Sequence, residues 1–383
     1  MSSIILSGML AADPHQGGAT WAILQYALGL RRLGHEVLLV EPVRPEALRP
    51  AGVSLAESVN AAYFRAVMAE FGLEADAALL LDGTRETVGL PYASLLERAG
   101  RADLLLNVSG MLTDEALLDP IPTRVYLDLD PAFNQLWQAV QGIDMRFAAH
   151  THFVSVGLAL GRPECLVPTL GLPWVTTLQP VVLEYWPPAE RIAHDALTTI
   201  ANWRGYGSIE HDGVVYGQKV HSLRRFIDLP TRTEEQFAIA LAIHPDETRD
   251  LAALAANRWR LLDPLDVAGT PARYQEFIRG SKAEFGIAKS GYVASRSGWF
   301  SDRSTCYLAS GRPVIAQDTG FSHFLPTGEG LFAFDTADDV LAAIDALRAD
   351  YGRHARAARA IAEAHFDSDL VLTRLLDRLG GHG

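Results

Sequence analysis

Two α/β domains of the doubly wound, Rossmann-like kind, facing each other across a cleft, are predicted by three features of the sequence. Short apolar runs alternate with helical periodicity from residue 4 onward. A Pro-rich stretch at 168–188 interrupts the alternation, and the same alternation then restarts. The 383 residues suit two cores better than one.

The first unit opens on Ile4-Ile5-Leu6, a run apolar enough for a strand buried on both faces. A loop follows, Asp13-Pro14-His15-Gln16-Gly17-Gly18. Residues 20–32 then carry Trp21, Leu24, Ala27 and Leu28 at helical spacing, and Gly34 ends the helix as a C′ glycine does. Val37-Leu38-Leu39-Val40 completes a strand–loop–helix–strand unit. Further strands are predicted at 78–81, 104–106, 124–127 and 153–156, with helices at 55–71 and 92–99 between some of them. One domain thus spans residues 1–175. Five prolines and two tryptophans within 168–188 predict an extended connector.

A second domain, 176–365, repeats the pattern. Strands are predicted at 197–201, 237–241, 285–288 and 313–316, and helices at 219–227, 274–279, 305–309, 337–348 and 352–364. The segment 366–383 adds a closing helix over 368–379. Two cores joined by a single connector predict a modest, partly polar interface.

Composition excludes several classes. Hydrophobic residues at 49% and charged residues at 21% describe a folded protein, not a disordered one. A net charge of −13 argues against general nucleic-acid binding, which needs a basic surface. The only cysteines, Cys165 and Cys306, rule out a disulfide framework and a cysteine zinc site and fit a reducing cytosol. The N-terminus lacks a basic region before its apolar run, and no run reaches the length of a spanning helix. A cytoplasmic protein without a membrane span is expected.

Ligands of parallel α/β sheets sit beyond the carboxyl ends of the strands. There Gly17-Gly18 lets backbone approach a ligand and offers the N–H groups of a helix start to an anion. The doublet is not the G-x-G-x-x-G dinucleotide fingerprint, and a tight turn would also explain it. Ser297-Gly298-Trp299-Phe300-Ser301-Asp302-Arg303-Ser304 leads into the 305–309 helix. Ser301, Asp302, Arg303 and Ser304 gather hydroxyls, N–H groups and a guanidinium at one helix start, the chemistry a diphosphate needs, although any of the short polar residues would also serve as an N-cap.

Together with Gly311-Arg312-Pro313-Val314 and Leu33-Gly34-His35-Glu36-Val37, these segments resemble the GT-B glycosyltransferases. That family opens on a G-G loop and an L-G-H-E-V strand entry, and binds its donor through a Gly-rich turn, a helix and G-x-P-V. The resemblance organises nearly the whole chain. It implies two facing Rossmann-like domains, a closing helix that returns to the first domain, and transfer of a sugar from a nucleotide-diphosphate donor held by the second domain. It implies no cofactor and no metal. It also implies donor contacts from Gly17, Gly18, Lys219 and Arg204, and from Gly320 and Phe321 in the last loop toward the sugar. A cation there stabilises the leaving diphosphate without a metal. One departure stands out. Where many members carry two glutamates, one of them on the donor ribose, this chain has Gly298 and Cys306, which leaves Asp302 as the replacement. The stretch 202–216 is also longer than is usual in the family.

Candidates for a base are His15, Asp13, His150 (with His152 close by) and Asp130, since imidazole and carboxylate can take a hydroxyl proton near neutral pH. Asp128-Leu129-Asp130 spells D-x-D, a metal-binding pattern in the other glycosyltransferase architecture. The two-domain layout favours the metal-independent type, with Asp130 as a loop carboxylate toward the acceptor. The acceptor itself is not legible. The alternatives are a nucleotide-sugar epimerase or hydrolase on the same scaffold, and a binding protein without catalysis.

Overall fold

The structure, a computed structural model, describes residues 1–380. The final three residues of the closing segment expected at 366–383 lie outside the described residues.

The first half is one sheet of eight strands: β1 (Ser3–Ser7), β2 (Glu36–Val43), β3 (Ala77–Leu81), β4 (Thr87–Gly89), β5 (Leu104–Val108), β6 (Thr123–Asp128), β7 (His152–Ser155) and β8 (Trp174–Thr176). Their order is β4-β3-β2-β1-β5-β6-β7-β8, parallel except for the β3–β4 pair at one edge. β1 lies between β2 and β5, Ile4 facing Val37 on one side and Leu104 on the other. Covered on both faces and both edges, it has no place for a polar side chain in its middle.

The second half is a parallel sheet of six strands built on β9 (His194–Asn202). A small hairpin, β10 (Ile209–His211) with β11 (Val214–Tyr216), follows β9. Then come β12 (Phe237–Ala242), β13 (Arg260–Leu262), β14 (Ser281–Gly286), β15 (Val314–Gln317) and β16 (Leu331–Phe334), in the order β13-β12-β9-β14-β15-β16. In both sheets the winding reverses direction beside the first strand, at β1/β5 and β9/β14. The crevices that open at these points receive ligands in doubly wound folds.

Two expectations are corrected. The stretch at 168–188 is not connector throughout, because Trp174–Thr176 adds β8 to β7, Val154 opposite Val175. A strand of three residues shows no periodicity, so the prolines around it dominate the sequence signal. The contact between the halves is also more extensive and more apolar than a single connector suggests. On one side Ala132, Phe133, Leu136, Leu160 and Val167 of the first half share a core with Ile209, Tyr216, Ala288 and Tyr292 of the second. Backbone bonds reinforce it, Ala159 N–H to Ser297 O (3.0 Å) and Leu166 N–H to Ser295 O (2.8 Å).

On the other side the Gly17–Arg32 helix meets the Pro271–Gly280 helix, with the Trp21 indole donating to Pro271 O (2.9 Å). The Ser368–Gly380 helix packs on Gly17–Arg32 so closely that a Cβ at Gly29 would lie 2.6 Å from Leu372 Cδ1. No helix among the described residues is long and apolar enough to cross a membrane.

Candidate functional site

Between the two seams lies a cleft of about 880 Å³ at the carboxyl ends of β1, β9 and β12. The first half lines it with His15, Gln16, Gly17, Gly18 and Ala19. The helix beginning at Gly17 has no side-chain cap, so its first N–H groups are left for a partner in the cleft. Its approach is anchored from beneath by Glu41, whose fully buried carboxylate accepts the N–H groups of Leu10 (2.9 Å), Ala11 (2.8 Å) and Ala12 (2.6 Å). Burial raises the Glu41 pKa to about 7, against the pull of those three bonds. His15 holds a positive φ of 67° and sits edge-on to Tyr63, 5.1 Å between ring centroids.

From the second half the cleft receives Lys219, Lys289, Asp302 and Arg303. Arg303 is buried and bound on two sides, donating to Glu284 Oε1 (2.6 Å) and Ile200 O (2.9 Å). Burial opposes its charge, but Glu284 together with Tyr274 and Tyr307 more than compensates and its pKa rises. Lys219, half-buried at the start of the Lys219–Leu223 helix, has no ion pair or side-chain hydrogen bond among the described residues. Burial, then Arg303 and Lys289, pull its pKa well below the usual range. Asp302 is raised by burial, partly offset by Arg303.

Of the residues named from sequence, His15, Gly17, Gly18, Lys219, Asp302 and Arg303 therefore come together. The others are placed elsewhere. Ser301 and Ser304, three apart and so on one helix face, turn away from the cleft into a small void with Trp299, Gln317 and Phe321. There Ser301 caps the Asp302–Ala309 helix by accepting the Arg303 N–H (3.3 Å). Phe321 is core, 5.0 Å from Phe300 between ring centroids, and Gly320 sits behind it at a φ of 95°. Arg204 points outward into an ion pair with Glu247. Asp13 pairs with Arg49 (2.8 Å) on the surface.

His150 is buried with both ring nitrogens engaged, by Arg146 O (2.8 Å) and the Asn107 amide (3.1 Å), and burial lowers its pKa. It does not line the cleft. Asp128 is equally committed, accepting from Asn134 (2.6 Å), Gln135 (2.8 Å) and Ser155 (2.8 Å), with burial raising its pKa to about 6. The D-x-D pattern therefore does not present two free carboxylates. Among the described residues no three His, Cys, Asp or Glu side chains form a metal-binding group.

Asp130 reaches across the boundary between the halves. It accepts from the phenols of Tyr206 and Tyr292 and from Lys289 Nζ, at 3.1 and 3.3 Å for its two oxygens. Lys289 and Tyr206 were not among the sequence candidates, yet both carried a signal. Lys289 follows β14 at the carboxyl end of the sheet, and Tyr206 belongs to the long 202–216 stretch.

Both positions where glutamates were missed are packed against the first half. A Cβ at Gly298 would lie 2.8 Å from Ala159 N, and Cys306 is buried beneath Gln25, its Sγ 3.7 Å from Nε2. Small side chains stand there because the first half leaves no space for longer ones.

Solved structures share this arrangement along almost the entire chain. One is an alpha-glucosyltransferase in complex with UDP-glucose and DNA containing an abasic site (TM-score 0.60, 14% identity, 98% of both chains covered). HepE from Anabaena, in complex with UDP and glucose, is similar over 100% of both chains (TM-score 0.63, 12% identity). The chain has the GT-B fold. A third GT-B neighbour is a glycosyltransferase from Rickettsia africae (TM-score 0.56, 12% identity, 100% of both chains). No family model matches the sequence, and no curated protein matches it.

Proposed function

We propose that the chain is a metal-independent glycosyltransferase that moves a sugar from a nucleotide-diphosphate donor to an acceptor. The observation that carries this is the meeting of Lys219, Arg303 and two helix N-termini in one interdomain cleft of the GT-B fold. The neighbours bound to UDP or UDP-glucose support the donor class. Lys219 and Arg303 would bear on the leaving diphosphate, and the Gly17-Gly18 backbone would approach it from the other half. His15 is the base we assign, since among the described residues it is the only titratable first-half side chain lining the cleft.

With a net charge of −13, the acceptor is not proposed to be nucleic acid in general. Two free thiols, Cys165 and Cys306, favour a cytoplasmic setting. The second reading, a nucleotide-sugar binder without catalysis, draws on the packed positions Gly298 and Cys306.

Titration calorimetry with UDP, GDP, ADP and TDP, followed by donor-turnover assays with and without EDTA, tests the proposal. One nucleotide should bind, and its sugar should be consumed in EDTA. Binding without turnover under any acceptor would favour the second reading; activity that EDTA abolishes and manganese restores would remove metal independence. Lys219→Ala should weaken binding by about 1–3 kcal/mol, the scale of a lost charge-assisted hydrogen bond. Its melting temperature should not fall, because Lys219 has no ion-pair or hydrogen-bond partner to lose and the nearest cations, Arg303 and Lys289, outweigh Glu284 and Asp302. Unchanged affinity in this variant would remove Lys219 from the diphosphate site.

A further inference from the structure

We propose that Lys289 is a second cation for the donor diphosphate, one that the Asp130 carboxylate holds in reserve and yields when the nucleotide enters. This rests on the donor reading above and extends it to a residue on a different element, the turn after β14.

The argument begins with charge. A nucleoside diphosphate brings at least two negative charges. Arg303 is already matched by the buried Glu284, which leaves Lys219 alone without a partner. Lys289 lines the same cleft, and it is near enough to Lys219 to act on its charge.

The surroundings of Lys289 are those of a group held without being locked. Its ammonium lies 4.2 Å from the Tyr206 ring centroid, 5.0 Å from Phe133 and 5.1 Å from Tyr292. It donates to Asp130 and to the hydroxyls of Tyr206 and Tyr292. Aromatic faces favour a cation over a range of positions, so a flexible four-carbon stem can shift among them without a steep loss.

Asp130 can afford the exchange. Both Tyr206 and Tyr292 donate to it independently of the lysine. Departure of Lys289 therefore leaves the carboxylate with two hydrogen-bond donors, which limits the cost of losing its counter-charge. While Lys289 is in place Asp130 accepts from a phenol and from the ammonium on each of its oxygens, so in this state it acts as a positioning residue. The long stretch after β9 acquires a purpose as well, since it delivers Tyr206 to this cluster.

The test compares UDP with uridine, which lacks the phosphates. In Lys289→Met, UDP should bind roughly ten- to a hundredfold more weakly while uridine affinity holds, the scale of one charge-assisted contact. Lys289→Arg should recover part of the loss. Asp130→Asn, which loosens the tether without removing the cation, should bind UDP as well as wild type or severalfold more tightly. Near-UV circular dichroism checks that each variant keeps its packing. Equal loss of UDP and uridine would mark Lys289 as structural and overturn the inference, as would unchanged UDP affinity in a folded Lys289→Met. A wild-type protein that binds no nucleoside diphosphate would instead bring down the donor reading itself.

Discussion

Gly17→Ala is expected to destabilise the protein and to abolish most of its nucleotide binding. A Cβ at Gly17 would lie 2.4 Å from Thr270 O and 2.6 Å from Ala268 O, both backbone atoms of the opposite half. Backbone cannot rotate aside as a side-chain tip can, so the helix start must retreat or the seam must open. Overpacking of this kind costs about 1–3 kcal/mol, with larger values where the contacts are rigid. Thermal unfolding should show a clear fall in melting temperature, and calorimetry a loss of UDP affinity beyond tenfold. Gly18→Ala should be milder, since its Cβ would meet the edge of the Tyr274 ring at 2.9 Å. Gly34→Ala, at a φ of 84° with open space around it, should show only the cost of its backbone conformation. A Gly17→Ala protein as stable as wild type would mean that the halves do not meet there as described.

Arg303→Met should be the most destabilising substitution at the site. Its partner Glu284 is fully buried, and one carboxylate oxygen already lacks a hydrogen bond. Removing the guanidinium strands that charge, which costs about 3–5 kcal/mol for a buried pair. Adding Glu284→Leu should restore most of the stability, because replacing a whole buried pair by apolar volume is close to neutral. Nucleotide affinity should stay low in both variants. Recovery of binding in the double variant would show that Arg303 serves the fold and not the phosphates. An unchanged melting temperature in the single variant would contradict the buried pairing.

These two residues also show what the sequence could and could not reveal. The buried strands β1, β2 and β12 were legible because each carries a run of apolar residues flanked by a helix or a turn, and β9 because its two threonines are β-branched and bracketed by apolar residues. β4, β8, β13 and the β10–β11 hairpin were not, since three residues carry too little pattern, and β16 was missed although its four residues are apolar. Gly17, Gly18 and Arg303 were found by one rule, that ligands gather at the carboxyl ends of parallel strands, and Lys219 through the family resemblance.

The misses had other causes. Arg204 was lost to Glu247, 43 residues away, a partner that no local pattern reveals. Ser301 and Ser304 failed on helix geometry, because the face presented to the cleft belongs to Asp302 and Arg303. Lys289 satisfied the strand-end rule that found Arg303, but no motif drew attention to it. His150 and Asp128 are polar groups turned inward, and only the fold shows that neighbouring amides already occupy them.

The core that Phe133 and Leu160 share with Tyr216 and Tyr292 has a consequence for how the molecule comes into being. During synthesis the first half leaves the ribosome with that apolar face bare, and its covering is encoded 56 to 159 residues later in the sequence. The nascent first sheet must therefore persist with an exposed face until the hairpin and the turn after β14 arrive. A chimera that joins this first half to the donor half of a distant fold relative would leave the same face uncovered, and should aggregate even where each sheet alone is sound.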